Sequence, residues 1–156
     1  MTNSLDQDQI QKIVELAAPI IKVWRALTDH KEFGKWFQVR LDGPFQTGVT
    51  TTGSMTAPGH EHVKWVSVTE QIDPKHLFAF SWPPSAVDPV TQYSADAKIY
   101  VEFRLMRTGT GSSPGTRLTI TESGFQLFPE TKRLEILRSN AEGWDIQAQN
   151  IAAYVQ

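Results

Sequence analysis

The last quarter of the chain limits the fold most. Leu134, Leu137, Ala141, Trp144, Ala148, Ile151 and Val155 recur at alternating spacings of three and four. That rhythm draws one apolar stripe along one side of an α-helix. Pro129 suits its first turn, where a missing N–H costs nothing. About 25 helical residues span roughly 37 Å, the width of a small domain. A helix this long with one apolar face needs a broad apolar surface to lie on. The rest of the chain must supply it.

The preceding segments read as that surface. Ile99, Val101, Phe103 and Leu105 alternate with Lys98, Glu102 and Arg104, and Leu118 and Ile120 alternate with Arg117, Thr119 and Thr121. Both patterns are those of half-buried strands. Further strands are predicted at Ile10–Ala17, Val39–Leu41, Val49–Ala57, Val63–Ile72 and Leu77–Trp82. Gly43-Pro44, Thr47-Gly48, Pro58-Gly59, Asp73-Pro74 and Pro83-Pro84 punctuate them. Val66, Val68 and Ile72 read as one face of the fourth of these five. Residues 85–96 read as a loop. Ile20, Val23, Trp24 and Leu27 give a short helix over Pro19–Thr28. Asp29 caps a second, His30–Phe37, which Gly34 weakens. The class is α+β, with short connections that favour antiparallel pairing.

Composition narrows the function. The 156 residues suit one domain, 10–156, after a loose polar tail at 1–9. With a net charge of −2 and interspersed signs, there is no basic face for nucleic acid. No run reaches the ~20 apolar residues of a membrane span, and no signal peptide is visible, so a cytoplasmic protein is expected. The chain has no cysteine, which excludes disulfides, thiolate metal sites and a cysteine nucleophile. Monomer and homodimer both remain open.

The ordered pieces resemble a known family. Pro19-x-x-x-Val23-Trp24-Arg25-Ala26-Leu27-Thr28-Asp29 and Trp36-Phe37 come first. Ile72-Asp73-Pro74 with Leu77, Phe80 and Trp82 follows. Then come Gly115-Thr116-Arg117-Leu118-Thr119, Glu122-Ser123-Gly124-Phe125, and Asn140-x-x-Gly143-Trp144. Together they resemble the activator of heat-shock protein 90 ATPase-like family, within the START/SRPBCC superfamily of birch-pollen-allergen fold. The resemblance implies a helix-grip fold: a seven-stranded curved antiparallel sheet around the C-terminal helix, with two short helices after the first strand. It also implies a cavity between sheet and helix, which superfamily members use for lipids, polyketides, hormones or aromatic compounds. A chaperone-activating role is implied by the family name, and a polyketide cyclase-like or hydrolase-like activity by other members.

Candidate site residues follow from facing and chemistry. Five tryptophans suit either a filled core or an aromatic-lined pocket for a small hydrophobic or aromatic molecule. Trp36, Phe37, Phe80, Trp82, Phe103, Glu122 and Trp144 are the residues expected near such a pocket. Glu122 continues the inward Leu118–Ile120 face. A buried carboxylate there pairs with a cation such as Arg104 or Arg117, or serves as a polar anchor or general acid/base. Glu70, placed with Val66 and Val68, is its potential partner in acid/base chemistry. Gly143 either lets the helix pack closely on the short helices or leaves room above a cavity. His60-Glu61-His62 reads as a solvated turn without further metal ligands. No catalytic residue, metal or cofactor is assigned, since no phosphate loop, dinucleotide fingerprint or nucleophile elbow occurs.

Overall fold

The computed structural model describes residues 3–5 and 8–156. Its strands are β1 (Asn3–Leu5), β2 (Gln9–Leu16), β3 (Val39–Leu41), β4 (Thr50–Met55), β5 (Lys64–Asp73), β6 (Leu77–Trp82), β7 (Ile99–Gly109) and β8 (Pro114–Ser123). Its α-helices are α1 (Ile20–Thr28), α2 (His30–Phe37) and α3 (Glu130–Val155). The strands form one antiparallel sheet in the order β1-β2-β8-β7-β6-β5-β4-β3. Strands β2 to β8 are the seven of the expected curved sheet, and β1 adds to its edge on β2. Of the tail read at 1–9, Asn3–Leu5 forms β1, Gln9 opens β2, and residues 1, 2, 6 and 7 lie outside the described residues.

Local chemistry sets the helices. Pro19 precedes α1, whose Ile20, Val23, Ala26 and Leu27 are buried. Asp29 Oδ1 accepts from the N–H groups of Lys31 (2.9 Å) and Glu32 (3.1 Å), so it caps α2 as its residue type predicts. Gly34 has a packing reason: a side chain there would collide with the Val39 carbonyl of β3. Removing the Cβ lets α2 press onto the strand that follows it.

Helix α3 lies across the concave face. Leu137, Ala141, Trp144, Ile151 and Val155 are buried on it. Lys12 of β2 holds Asp145 at 3.0 Å, Gln147 donates to the Phe37 carbonyl at 3.2 Å, and the Tyr154 hydroxyl bonds Glu32 at 3.0 Å. Leu134 departs from the expected stripe. It is 54% exposed, and Ile136 packs on the core in its place.

One strand face differs from expectation. In β5 the buried residues are Trp65, Ser67 and Thr69, while Val66 is exposed. The register shifts between Thr69 and Gln71. Glu70 is the additional residue of a β-bulge, which breaks the alternation. Val66 and Val68 therefore face away from the core, and Ile72, past the bulge, faces it.

Aromatic rings fill most of the interior. Phe33 meets Trp36, Phe37, Phe45 and Trp65 at centroid distances of 4.8–5.6 Å. Phe78, Phe80 and Phe103 continue the cluster toward Trp82 and Trp144. The core is packed beneath α2 and opens at the other end of the sheet.

Candidate functional site

At that open end a pocket of about 240 Å³ lies between α3, the ends of β6 and β8, and the end of α2. Phe37, Trp82 and Trp144 form its apolar wall, and Glu122 its polar floor. The two indole rings lie nearly parallel, 20° apart with centroids at 6.4 Å. Phe37 stands edge-on to Trp144 at 6.1 Å.

Glu122 ends the inward row Thr116, Leu118, Ile120 of β8 and is fully buried. Its Oε1 accepts from Trp144 Nε1 at 2.9 Å and Asn140 Nδ2 at 3.1 Å, and its Oε2 accepts from Trp82 Nε1 at 3.1 Å. No ion pair reaches it among the described residues. The expected salt bridge is absent because Arg104 bonds Glu102 and Arg117 bonds Glu15 instead. Burial pushes the Glu122 carboxyl above the usual range, while the N–H donors of Trp144, Asn140 and Trp82 work the other way.

That balance has a measurable consequence. A proton held more tightly in the fold than in the unfolded chain stabilises most below the ordinary carboxylate range. The contribution is then lost as pH rises through the raised value. The melting temperature of the native protein minus that of Glu122→Gln is therefore expected to fall as pH rises above the ordinary carboxylate range. A pH-independent difference would show that Glu122 titrates normally.

Glu70 belongs to a different network on the outer face. Ser81 Oγ donates to it at 2.6 Å and Lys98 Nζ at 3.0 Å, and the Ser81 hydrogen bond, then Lys98, holds its carboxyl below the usual range. With the sheet between them, Glu70 and Glu122 share no partner and form no acid/base pair.

The seven residues expected at the pocket separate into three groups. Phe37, Trp82, Glu122 and Trp144 line it. Phe80 and Phe103 pack behind this wall, against Trp82 at 5.3 Å and Trp144 at 5.9 Å. Trp36 points elsewhere and donates its Nε1–H to the Ala26 carbonyl at 2.8 Å. Val87, Ser139, Asn140, Gly143 and Gln147 complete the lining. Asn140, Gly143, Trp144 and Gln147 follow each other at helical spacing, so the signal was one line of residues beside the apolar stripe. His60 and His62 sit exposed after β4, and no cluster of metal-binding side chains occurs among the described residues.

Gly143 resolves in favour of open space. A side chain there would meet nothing within 4 Å, so close packing is not its role. Gly143→Ala is expected to stabilise the protein by about 1 kcal/mol through helix propensity alone. Thermal denaturation checks this, and a loss of stability would point to a hidden packing constraint.

The connection after β6 borders the pocket through Val87. Asp88 fixes it, accepting from the Tyr93 hydroxyl at 2.6 Å and from Lys132 Nζ of α3 at 3.2 Å. The Tyr93 hydrogen bond, then Thr91 and Lys132, hold the Asp88 carboxyl well below the usual carboxylate range.

An α+β sheet gripping a long C-terminal helix, with a polar-floored pocket beneath that helix, defines a helix-grip domain. Residues 17–156 match the family described as Activator of Hsp90 ATPase homolog 1-like protein, and the chain belongs to that family. Solved structures share the fold at low identity. Protein Ms6760 from Mycobacterium smegmatis is 18% identical with a TM-score of 0.70, over 100% of this chain and 96% of that one. A protein from Arthrobacter aurescens is 15% identical with a TM-score of 0.73, over 99% and 91%. DynU16, a protein in the dynemicin biosynthetic locus, is 21% identical with a TM-score of 0.66. That match covers 94% of this chain but only 46% of DynU16, so the chain spans under half its length. No curated protein matches the chain. No helix among the described residues is long and apolar enough to cross a membrane.

Proposed function

We propose that this protein binds a small hydrophobic or aromatic molecule in the pocket between the sheet and α3. One observation carries the reading: a fully buried carboxyl group, held by three N–H donors, forms the floor of a pocket with one wall of Phe37, Trp82 and Trp144. Apolar walls with a few fixed polar groups are the usual build of a small-molecule site. Gly143 supports it, since the helix forgoes a better helix former at the pocket's edge. The aromatic wall supplies affinity by area burial and stacking, and Glu122 holds the Trp82 and Trp144 rings in place through their N–H groups.

Titration with steroids, flavonoids and fatty acids, followed by tryptophan fluorescence, tests the proposal. Trp82 and Trp144 in the pocket wall should report binding directly. Silence across all three classes would overturn it. The family's description offers a second reading, stimulation of a heat-shock ATPase. An ATPase assay and a pull-down with the chaperone separate the two.

A further inference from the structure

The pocket does not end at Asn140. Val87, Ser139 and Asn140 also border a second hollow of about 320 Å³, which Asp88, Lys132, Glu135 and Ile136 complete. Helix α3 runs past both. It gives Lys132, Glu135 and Ile136 to the outer hollow, Gly143, Trp144 and Gln147 to the pocket, and Ser139 and Asn140 to both. These positions recur at i, i+3, i+4 and i+7, so they form one strip of the helix surface, roughly 22 Å long. Size also joins the two hollows. The pocket alone, at about 240 Å³, lies below the ~300–1,000 Å³ usual for a small-molecule site, and the two together fall within that range.

The strip changes chemistry along its length. Around Gly143 and Trp144 it is apolar, whereas the outer hollow is lined by charged and polar groups. Lys132 Nζ donates to both Asp88 oxygens and to Thr91 Oγ1, which occupies its three N–H groups. Asp88 also accepts from the Tyr93 hydroxyl. Glu135 and Ser139 are exposed and have no side-chain partner among the described residues. Asn140 donates through Nδ2 to Glu122, which leaves its Oδ1 as an acceptor. The open groups of the outer hollow are thus mostly acceptors. Asp88 and Glu135 outweigh Lys132 by one negative charge.

We infer that the ligand is an aromatic molecule with a neutral, hydroxyl-bearing extension: the rings lie in the pocket, and the extension lies in the outer hollow, donating to Glu135, Ser139 and Asn140. The inference rests on the small-molecule reading above and uses no contact with Glu122. Each hydroxyl supplies a donor where the hollow offers acceptors. An anionic extension of the same size meets a like charge.

Isothermal titration of the full chain with 2-naphthol, 2-naphthyl β-glucoside and 2-naphthyl β-glucuronide tests this. The glucoside is expected to bind about tenfold more tightly than 2-naphthol, as one or two net hydrogen bonds imply. The glucuronide should bind about two- to fivefold more weakly than the glucoside, the scale of an exposed charge pair. Glu135→Lys, at an exposed helix position, should remove or reverse that preference. A glucoside no tighter than 2-naphthol would overturn the inference and leave the pocket reading standing. So would a glucoside-to-glucuronide ratio unchanged in Glu135→Lys, since the extension would then lie outside the hollow. Binding of none of the three compounds would overturn both readings.

Discussion

Replacing Trp144 by alanine is expected to lower stability by about 3–5 kcal/mol, the usual cost of deleting a large buried ring. The melting temperature should fall by roughly 10 °C for a domain of this size. Three rings lose a neighbour at once: Phe37 at 6.1 Å, Trp82 at 6.4 Å and Phe103 at 5.9 Å. The substitution also strips Glu122 Oε1 of its 2.9 Å donor. Trp144→Phe separates the two effects. It keeps most of the apolar area but leaves a buried acceptor position short, at a cost of about 1–3 kcal/mol. Chemical denaturation of both variants gives the comparison. A phenylalanine variant as stable as the native protein would show that the indole N–H contributes nothing to holding Glu122. Ligand titration should separate them too, because the alanine variant loses one wall of the pocket.

Why this site was partly legible in the sequence follows from the range of each interaction. Glu122 was found because strand alternation is local: Ile120 and Leu118, two and four residues earlier, already point inward. Its partners were not found, since Trp82, Asn140 and Trp144 lie 40, 18 and 22 residues away. No periodicity encodes which side chain across the fold will reach it. A salt bridge with Arg104 or Arg117 was the plausible guess from charge alone. Both arginines sit on outward positions of their strands, where nearer carboxylates take them.

Other departures have equally specific causes. Trp36 and Phe37 are adjacent on a helix, so their side chains point about 100° apart. Only one of them can face the pocket, and Phe37 does. Val66, Val68 and Ile72 looked like one face because a β-bulge leaves no mark in the hydrophobic pattern. Glu70 carries the irregularity, and everything beyond it changes sides. Leu134 lies outside the core because an apolar repeat of 3.5 residues drifts about 20° per heptad around a 3.6-residue helix. Across three heptads the drift takes the end of the stripe off the sheet. The boundaries of α2, β3 and β6, by contrast, agree with the pattern to the residue, since each is set by a cap or turn beside it.

Phe33→Ala is expected to cost as much as Trp144→Ala, about 3–5 kcal/mol, yet to leave ligand binding intact. Phe33 is fully buried and touches four rings, stacked on Phe37 at 5.0 Å and edge-on to Trp36, Phe45 and Trp65. It fills the part of the concave face that the resemblance led us to expect as cavity. Phe37, itself in the pocket wall, and Trp65, which meets Trp82 at 5.4 Å, connect it with the pocket. The two substitutions thus test how the interior divides. One half is closed by aromatic packing and carries stability; the other, around Glu122, stays open. Denaturant unfolding measures the first property and calorimetric titration of folded protein the second. Equal losses of stability with binding lost only in Trp144→Ala would fit that division. Loss of binding in both would mean that the pocket depends on the whole aromatic cluster, through the Phe37 and Trp65 rings that join the two halves.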